Sequence, residues 1–303
     1  MAAFTKLIRF KSENDDTYYA DLGDLISEVP GPGSQITAYK SFGYLLSKNN
    51  AETATVKELL APLPRGDLPI YCVGLNYKSH SIEANLQIPK SPPLWTKPAA
   101  ALANPGQDIM MNKYCAASYP DYEAELVFVT SRTCKDITEA EAADAILGYT
   151  IGNDLSCRLF QMPQHSSGQF FYAKAFDHFA PIGPALVSRD ALSLSATRVT
   201  LKVNGEKRQE ADFAADMVFS PAAILSFMSQ GTTIPAFTAV MTGTPAGVGA
   251  FMKPKRFLND GDVVEVSAPG IGELRNRIVF EGDWAHFLYL RFRRLIIALV
   301  TWW

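Results

Sequence analysis

Pro120-Asp-Tyr-Glu-Ala-Glu-Leu-Val-Phe-Val129 is the stretch on which the fold turns. Its second half is apolar and β-branched, the composition of a buried strand. Side chains on a strand alternate faces, so Glu123 and Glu125 point the same way, roughly 7 Å apart. Two carboxylates on one face of a half-buried strand are costly unless something pairs with them. A hard divalent cation does so, because oxygen ligands suit Mg²⁺, Mn²⁺ or Ca²⁺. An edge strand with a solvated glutamate face fits the same pattern, and the pair alone leaves both readings open.

Working outward, Ile70-Tyr-Cys-Val-Gly-Leu-Asn-Tyr-Lys-Ser-His80-Ser-Ile-Glu83 reads as an apolar strand, a Gly/Asn turn and a helix start. His80 and Glu83 are spaced i, i+3 and share a helical face. That spacing suits a glutamate that orients an imidazole and leaves its other nitrogen free as a base; an ordinary surface pair has the same spacing. Pro92 to Pro98 is bracketed by prolines and reads as extended. Thr138-Glu-Ala-Glu141 is a capping box, opening a helix expected to end near Leu147. Tyr149 to Asp154 reads as a strand with Asp154 at its C-terminal edge, a common place for site residues. Arg158 and Gln161 follow within two turns.

Residues 162 to 173 are expected to be a loop. Lys174 is flanked by Phe170, Phe171, Tyr172 and Phe176, so its ammonium is either partly desolvated or an ordinary surface charge. Val199 to Val203 and Glu206 to Gln209 flank Asn204-Gly205, a strong hairpin signal. Ser220-Pro221 gives an N-cap and an N1 proline to a helix that stops near Gly231. Ala239 to Gly249 is a strand running into a Gly-rich turn able to cradle a carboxylate or phosphate. It lacks the lysine of a P-loop and the spacing of a dinucleotide turn, so it gives little support to nucleotide binding. Val263 to Val266 and Glu273 to Phe280 read as closing strands.

The chain has 303 residues, 48% hydrophobic and 19% charged, with a net charge of −3. That is enough mass for one large domain, or one plus a small one. The charge gives no support to nucleic-acid binding, which leaves a basic footprint. No apolar run is long enough to span a bilayer. The N-terminus lacks an apolar signal core, and Cys72, Cys115, Cys134 and Cys157 form no framework pattern. We therefore expect reduced thiols and a cytoplasmic protein. Residues 1–66 read as a small N-terminal domain, with a hairpin at Leu7–Phe10 and Thr17–Ala20, a short helix at Ala54–Leu60, and a Pro/Gly linker.

The motifs together resemble the fumarylacetoacetate hydrolase family. The matching residues are Gly74-Leu-Asn-Tyr77 with His80 and Glu83; Lys97-Pro98; Asp121-Tyr-Glu-Ala-Glu125; and Gly148-Tyr-Thr with Asn153-Asp154. Further along they are Arg158 and Gln161; Lys174 with Phe176-Asp177; Pro181 to Pro184; Thr242 to Gly249; and Gly272 to Arg277. The resemblance covers roughly residues 68 to 280. It implies a mixed, β-rich α+β fold whose β-sheets roll around a metal site, with the small N-terminal domain set before a catalytic domain at 67–282. It also implies a homodimer. The carboxylates carried over as ligands are Glu123, Glu125 and Asp154, for Mg²⁺ or Mn²⁺, with Ca²⁺ as a stand-in in crystals. The run from Tyr71 to Ser79 holds no carboxylate, which matches the short, three-carboxylate branch.

That branch implies an enzyme that cleaves a C–C bond in 2-oxo or 1,3-dicarbonyl acids, as an acylpyruvate hydrolase or an oxaloacetate decarboxylase. His80, oriented by Glu83, is the expected base, Lys174 the partner of a substrate carboxylate or oxyanion, and Arg158, Gln161 and Thr244 the positioning groups. His80 to Pro92 is the expected lid. An isomerase or hydratase of a related 2-oxo acid shares the same ligands. A biosynthetic enzyme acting on a larger diketone remains open, since Trp95 stands where the family pattern has a smaller aromatic and Phe170–Tyr172 is unusually apolar. A metal-binding protein without activity is the reading of another class; the intact His80, Glu83 and Lys174 argue against it. Residues 283–303 form a basic and apolar extension, expected to pack on the body or in a dimer interface rather than on a membrane.

Overall fold

The computed structural model describes residues 4–23 and 28–282. Its backbone is the strand Ala124–Thr130, buried at every position. Ala124, Leu126 and Phe128 face the larger apolar core, and Val127 and Val129 face a second one. A strand coated on both sides must be apolar throughout, which is why this run does not alternate in hydropathy. It pairs antiparallel with Ile146–Asn153 on one side and Ala239–Met241 on the other.

From this centre an eleven-stranded sheet runs both ways. One direction continues through Ala180–Ser188, Lys6–Ser12, Glu52–Leu60 and Gln35–Ala38. The other continues through Ile70–Val73 and Leu94–Lys97. A five-stranded sheet contains the hairpin Arg198–Val203 and Glu206–Asp212, then Val263–Ala268, Gly272–Phe280 and Ile109–Met111. Val199, Leu201, Val264, Val266 and Ile278 from it pack in the same core as Leu126 and Phe128. The β-rich α+β class is as expected.

The hairpin at Asn204-Gly205 forms, with both turn residues at positive φ (53° and 78°). The N-terminal hairpin forms too, and its first strand hydrogen-bonds to Ala180–Ser188, so residues of the N-terminal stretch lengthen the main sheet. The capping box at Thr138 and Glu141 is present, and Ser220 caps the helix Pro221–Ser229.

Four local expectations are corrected. Ala54–Leu60 is not a helix but part of the strand Glu52–Leu60. Ala54, Val56 and Leu60 turn inward, and the edge of Lys6–Ser12 supplies the ladder. Propensity yields there to a tertiary pairing. The capped helix ends at Asp144, because Ile146 already belongs to the next strand. Residues 162 to 173 include a one-turn helix at Pro163–Ser166 and the start of another, Phe171–Lys174. The strand at 120–129 is interrupted: Pro120–Asp121 pairs separately with Ser156–Cys157, and the main strand begins at Ala124. Among the described residues no helix is long and apolar enough to cross a membrane. The extension 283–303 lies outside the described residues.

Candidate metal centre and active site

The break in the strand builds the site. Glu123 leaves the ladder and is held by two other bonds: its N–H donates to the side-chain Oδ1 of Asn153 at 3.0 Å, and its carbonyl accepts the backbone N–H of Asp154 at 2.9 Å. Those two bonds set Glu123 beside Asp154, the residue that follows the end of the neighbouring strand at Asn153. Glu125 is inside the ladder, opposite Gly152. One carboxylate oxygen from each of Glu123, Glu125 and Asp154 lies within 4.8 Å of the others, and all three residues are buried.

Three cations surround this nest. Lys174, only 2% exposed, donates to Glu123 Oε2 at 2.8 Å, to Asp154 Oδ2 at 2.7 Å and to Ser156 Oγ at 2.7 Å. Lys97, fully buried, donates to Asp154 Oδ1 and to the Leu155 carbonyl. Arg158 reaches Glu123 Oε1 at 2.5 Å, Gln161 Oε1 at 2.9 Å and Asp121 Oδ2 at 2.8 Å. Its Nη2 is buried and has no partner among the described residues, so one guanidinium donor is available to a ligand. The Gly-rich turn closes the nest. Gly243 N–H donates to Glu125 Oε2 at 2.7 Å, and Gly249 and Ala250 donate to the two oxygens of Asp121 at 2.9 Å each. A Cβ at Gly249 would stand 2.6 Å from Asp121 Oδ1, so the close approach requires glycine there.

These surroundings split the carboxylates. Burial alone would raise the Glu123 carboxyl, but the charges of Lys174 and Arg158 outweigh it and hold it at about 2. Burial, followed by repulsion from Asp154 and Glu123, pushes Glu125 well above the usual carboxylate range. Glu125 makes no ion pair among the described residues. Burial would lower the Lys174 ammonium, yet Asp154 and Glu123 raise it. Asp121, Glu123, Glu125 and Asp154 face Lys97, Lys174 and Arg158. With every group ionised the balance is one negative charge, which a divalent cation would reverse to one positive. The donor set fits such a cation: three buried oxygens on converging side chains, one of them poorly compensated.

His80 and Glu83 lie on the helix Lys78–Glu83. His80 Nδ1 is 2.8 Å from Glu83 Oε1, and Glu83 Oε2 accepts the Gly247 N–H at 2.9 Å. The same Gly-rich turn therefore touches both the imidazole-bearing helix and the carboxylate nest. Thr244 is buried in the turn, with its hydroxyl accepting from Gln209 Nε2 at 2.8 Å. All nine residues singled out from the sequence are thus linked, directly or through the turn, into one neighbourhood.

Several participants carried no such signal. Asp121 shares the alternation that aligns Glu123 with Glu125, but that pattern names no partner for it. Lys97, beside Pro98, has no local pattern that marks it as a partner of Asp154. Gln209 belongs to a hairpin recognised only by its turn; it accepts the Ala124 N–H at 2.8 Å and ties that strand to Thr244 and Pro245. No local feature could have shown that partner.

A β-rich fold with a buried nest of two glutamates and one aspartate defines a class of enzymes, and comparison with known proteins gives its family. Residues 69–279 match the fumarylacetoacetate (FAA) hydrolase C-terminal family, and the chain belongs to it. An oxaloacetate tautomerase, fahd2, of Xenopus laevis mitochondria is 35% identical over 244 residues, covering 80% of this chain and 73% of that protein. A caffeoylpyruvate hydrolase of Neonothopanus nambi is 34% identical over 256 residues, covering 81% of this chain and 82% of that protein. The crystal structure of a 2-hydroxyhepta-2,4-diene-1,7-dioate isomerase from Mycobacterium marinum superposes with a TM-score of 0.72 at 31% identity, covering 92% of this chain and all of that one.

Proposed function

We propose that this protein is a divalent-cation-dependent enzyme acting on 2-oxo acids of the oxaloacetate or acylpyruvate type. The observation that carries the reading is the convergence of Glu123, Glu125 and Asp154 within 4.8 Å, buried and only partly neutralised. These three would hold Mg²⁺ or Mn²⁺, which would supply Lewis-acid charge to a bound 2-oxo acid. The catalytic unit would be residues 67–282, with 1–66 as a small N-terminal unit at the sheet edge.

The chain's own residues do the rest. Glu83 accepts from His80 Nδ1–H and thereby presents Nε2 as the base. Placed beside the substrate, Nε2 takes a proton either from the carbon next to the carbonyl or from a water that attacks the distal carbonyl. The first gives keto–enol interconversion; the second begins hydrolysis of an acylpyruvate. Arg158 Nη2, buried and without a partner among the described residues, donates to a substrate carboxylate. Gln161 fixes the guanidinium from its other side. Lys174 keeps a positive charge beside Glu123 and Asp154, where negative charge develops on the substrate. Thr244 would face the substrate carboxylate from the Gly-rich turn. The apolar side chains of Ile82, Leu86 and Ile88, each at least half exposed, suit His80–Pro92 as a lid that closes over bound substrate.

A second reading, a substrate with a bulky aromatic acyl group, is favoured by Trp95. The Lys174 ammonium sits over its ring at 5.5 Å, and Phe170, 38% exposed, meets it edge-on at 5.7 Å. Gly74 leaves room for the indole, since a Cβ there would fall 2.7 Å from Trp95 Cζ3.

One set of assays decides among these. Purified protein is given oxaloacetate, acetylpyruvate and a benzoyl analogue of acetylpyruvate, with Mg²⁺ or with EDTA, while enol absorbance and pyruvate release are followed. EDTA-sensitive loss of enol without pyruvate means tautomerisation; pyruvate release means cleavage; preference for the benzoyl compound selects the aromatic reading. Glu123→Ala is expected to lose bound metal and turnover together. Full metal content in that variant would refute the ligand assignment.

A further inference from the structure

The helix that carries His80 and Glu83 is only six residues long, and Tyr77 at its N-cap makes no side-chain capping bond. So short a helix does not hold itself in water, and its first N–H groups need acceptors. The acceptor comes from 137 residues further along the chain. Ser79 N–H donates to Asp216 Oδ1 at 2.9 Å, and the Ser79 hydroxyl donates to Asp216 Oδ2. That hydroxyl in turn accepts the Ala246 N–H at 3.1 Å, one residue before the glycine whose N–H holds Glu83. A carboxylate at this end of a helix is also favoured by the helix dipole.

Neighbouring bonds point the same way. Val218 N–H donates to the Asn76 carbonyl at 2.8 Å, Tyr77 and Met217 form an isolated bridge, and Lys78 Nζ reaches the Ala215 carbonyl at 3.0 Å. Residues 76–79 are thus fastened to 215–218. Asp216 is the one side chain of that segment seen to bond the helix backbone.

We propose that Asp216 is a positioning residue for the His80–Glu83 pair: acting through Ser79, it caps the short helix in trans and holds the imidazole at the site. The inference rests on the reading of His80 as the proton-transfer group. Without the carboxylate the first turn loses both bonds, the helix frays, and His80 spends less time facing the carboxylate nest. Glu123, Glu125 and Asp154 do not depend on Asp216, so cation binding is unaffected.

The test uses the full chain as Asp216→Ala and Asp216→Asn, each alone and combined with His80→Asn. Three quantities are read: amide exchange of the 78–83 peptide, kcat and KM on whichever of oxaloacetate or acetylpyruvate the protein turns over with Mg²⁺, and Mn²⁺ affinity. Asp216→Ala is expected to speed exchange at 78–83, lower kcat about tenfold, the worth of roughly one charge-assisted hydrogen bond, and leave Mn²⁺ affinity unchanged. Asp216→Asn keeps one acceptor and should fall between. In the His80→Asn background neither change should slow turnover further. Unchanged exchange and turnover in Asp216→Ala, with His80→Asn slow, would overturn the positioning role alone. The same factor lost with and without His80 would also overturn it, because the effect would then be general. Wild-type turnover by His80→Asn would overturn the His80 assignment, and the positioning role with it.

Discussion

Two arginine–carboxylate pairs of nearly the same geometry sit in opposite surroundings. Arg158 Nε meets Asp121 Oδ2 at 2.8 Å where the aspartate is fully buried and the arginine side chain is 10% exposed. Arg198 Nε meets Asp212 Oδ1 at 2.9 Å across the hairpin, with both side chains about half exposed. In water the second pair adds little, because solvent screens the attraction and side-chain entropy opposes it. Inside the protein the first pair cannot be half removed, since the remaining charge has no water to turn to. The comparison separates ion pairs that decorate a sheet from those on which the centre depends. Asp121 also accepts the N–H groups of Tyr122, Gly249 and Ala250, so one carboxylate fixes both Arg158 and the Gly-rich turn.

The largest effect expected is that of Asp121→Ala. It removes one of the two carboxylates that pair with Arg158 and leaves three backbone donors without their acceptor, and should cost about 3–5 kcal/mol in urea unfolding, the usual cost of breaking a buried pair. A loss near zero would show that the buried pair behaves like the exposed one. Next comes Glu125→Gln, which sharpens the comparison within the nest. Glu125 is a buried carboxylate that makes no ion pair among the described residues and is repelled by Asp154 and Glu123. Its neutral isostere should therefore unfold no more easily than wild type without metal. Wild type should gain about 2.7 kcal/mol at a Mg²⁺ concentration near 100 Kd, and the variant should gain nothing. A metal-dependent gain that survives the substitution would remove Glu125 from the ligand set. The smallest effect is that of Asp212→Ala, expected to leave the unfolding midpoint where it was, at low and at high salt. A shift approaching that of Asp121→Ala would break the distinction between the two regions.

Much of the centre could be read from the chain because its parts cluster locally. Glu123 and Glu125 are two residues apart, His80 and Glu83 three, and Arg158 and Gln161 three. The last two pairs do hydrogen-bond to each other. The reading failed where a partner is distant or a pairing overrides local preference. Ala54–Leu60 became a strand because an open sheet edge lay beside it. Lys97, Gln209 and Asp216 gained their places from partners that contacts over dozens of residues supply. The uninterrupted strand expected over 120–129 breaks at Glu123, since side-chain acceptors from Asn153 and Gln209 replace the ladder at its start.

By itself, the sequence determined the strand-rich class, the hairpin at Asn204-Gly205, the helix caps at Thr138 and Ser220, and the residue types of an oxygen-rich nest that could hold a cation. Those follow from backbone propensity and short-range spacing, which act within a few residues. Only the tertiary structure decided that Glu123, Glu125 and Asp154 converge, that two lysines and an arginine compensate them, and that the imidazole-bearing helix is capped from afar. These outcomes depend on burial. The low-dielectric interior makes each unpaired charge costly, and it can be paired only by groups that the packing of separate strands brings together.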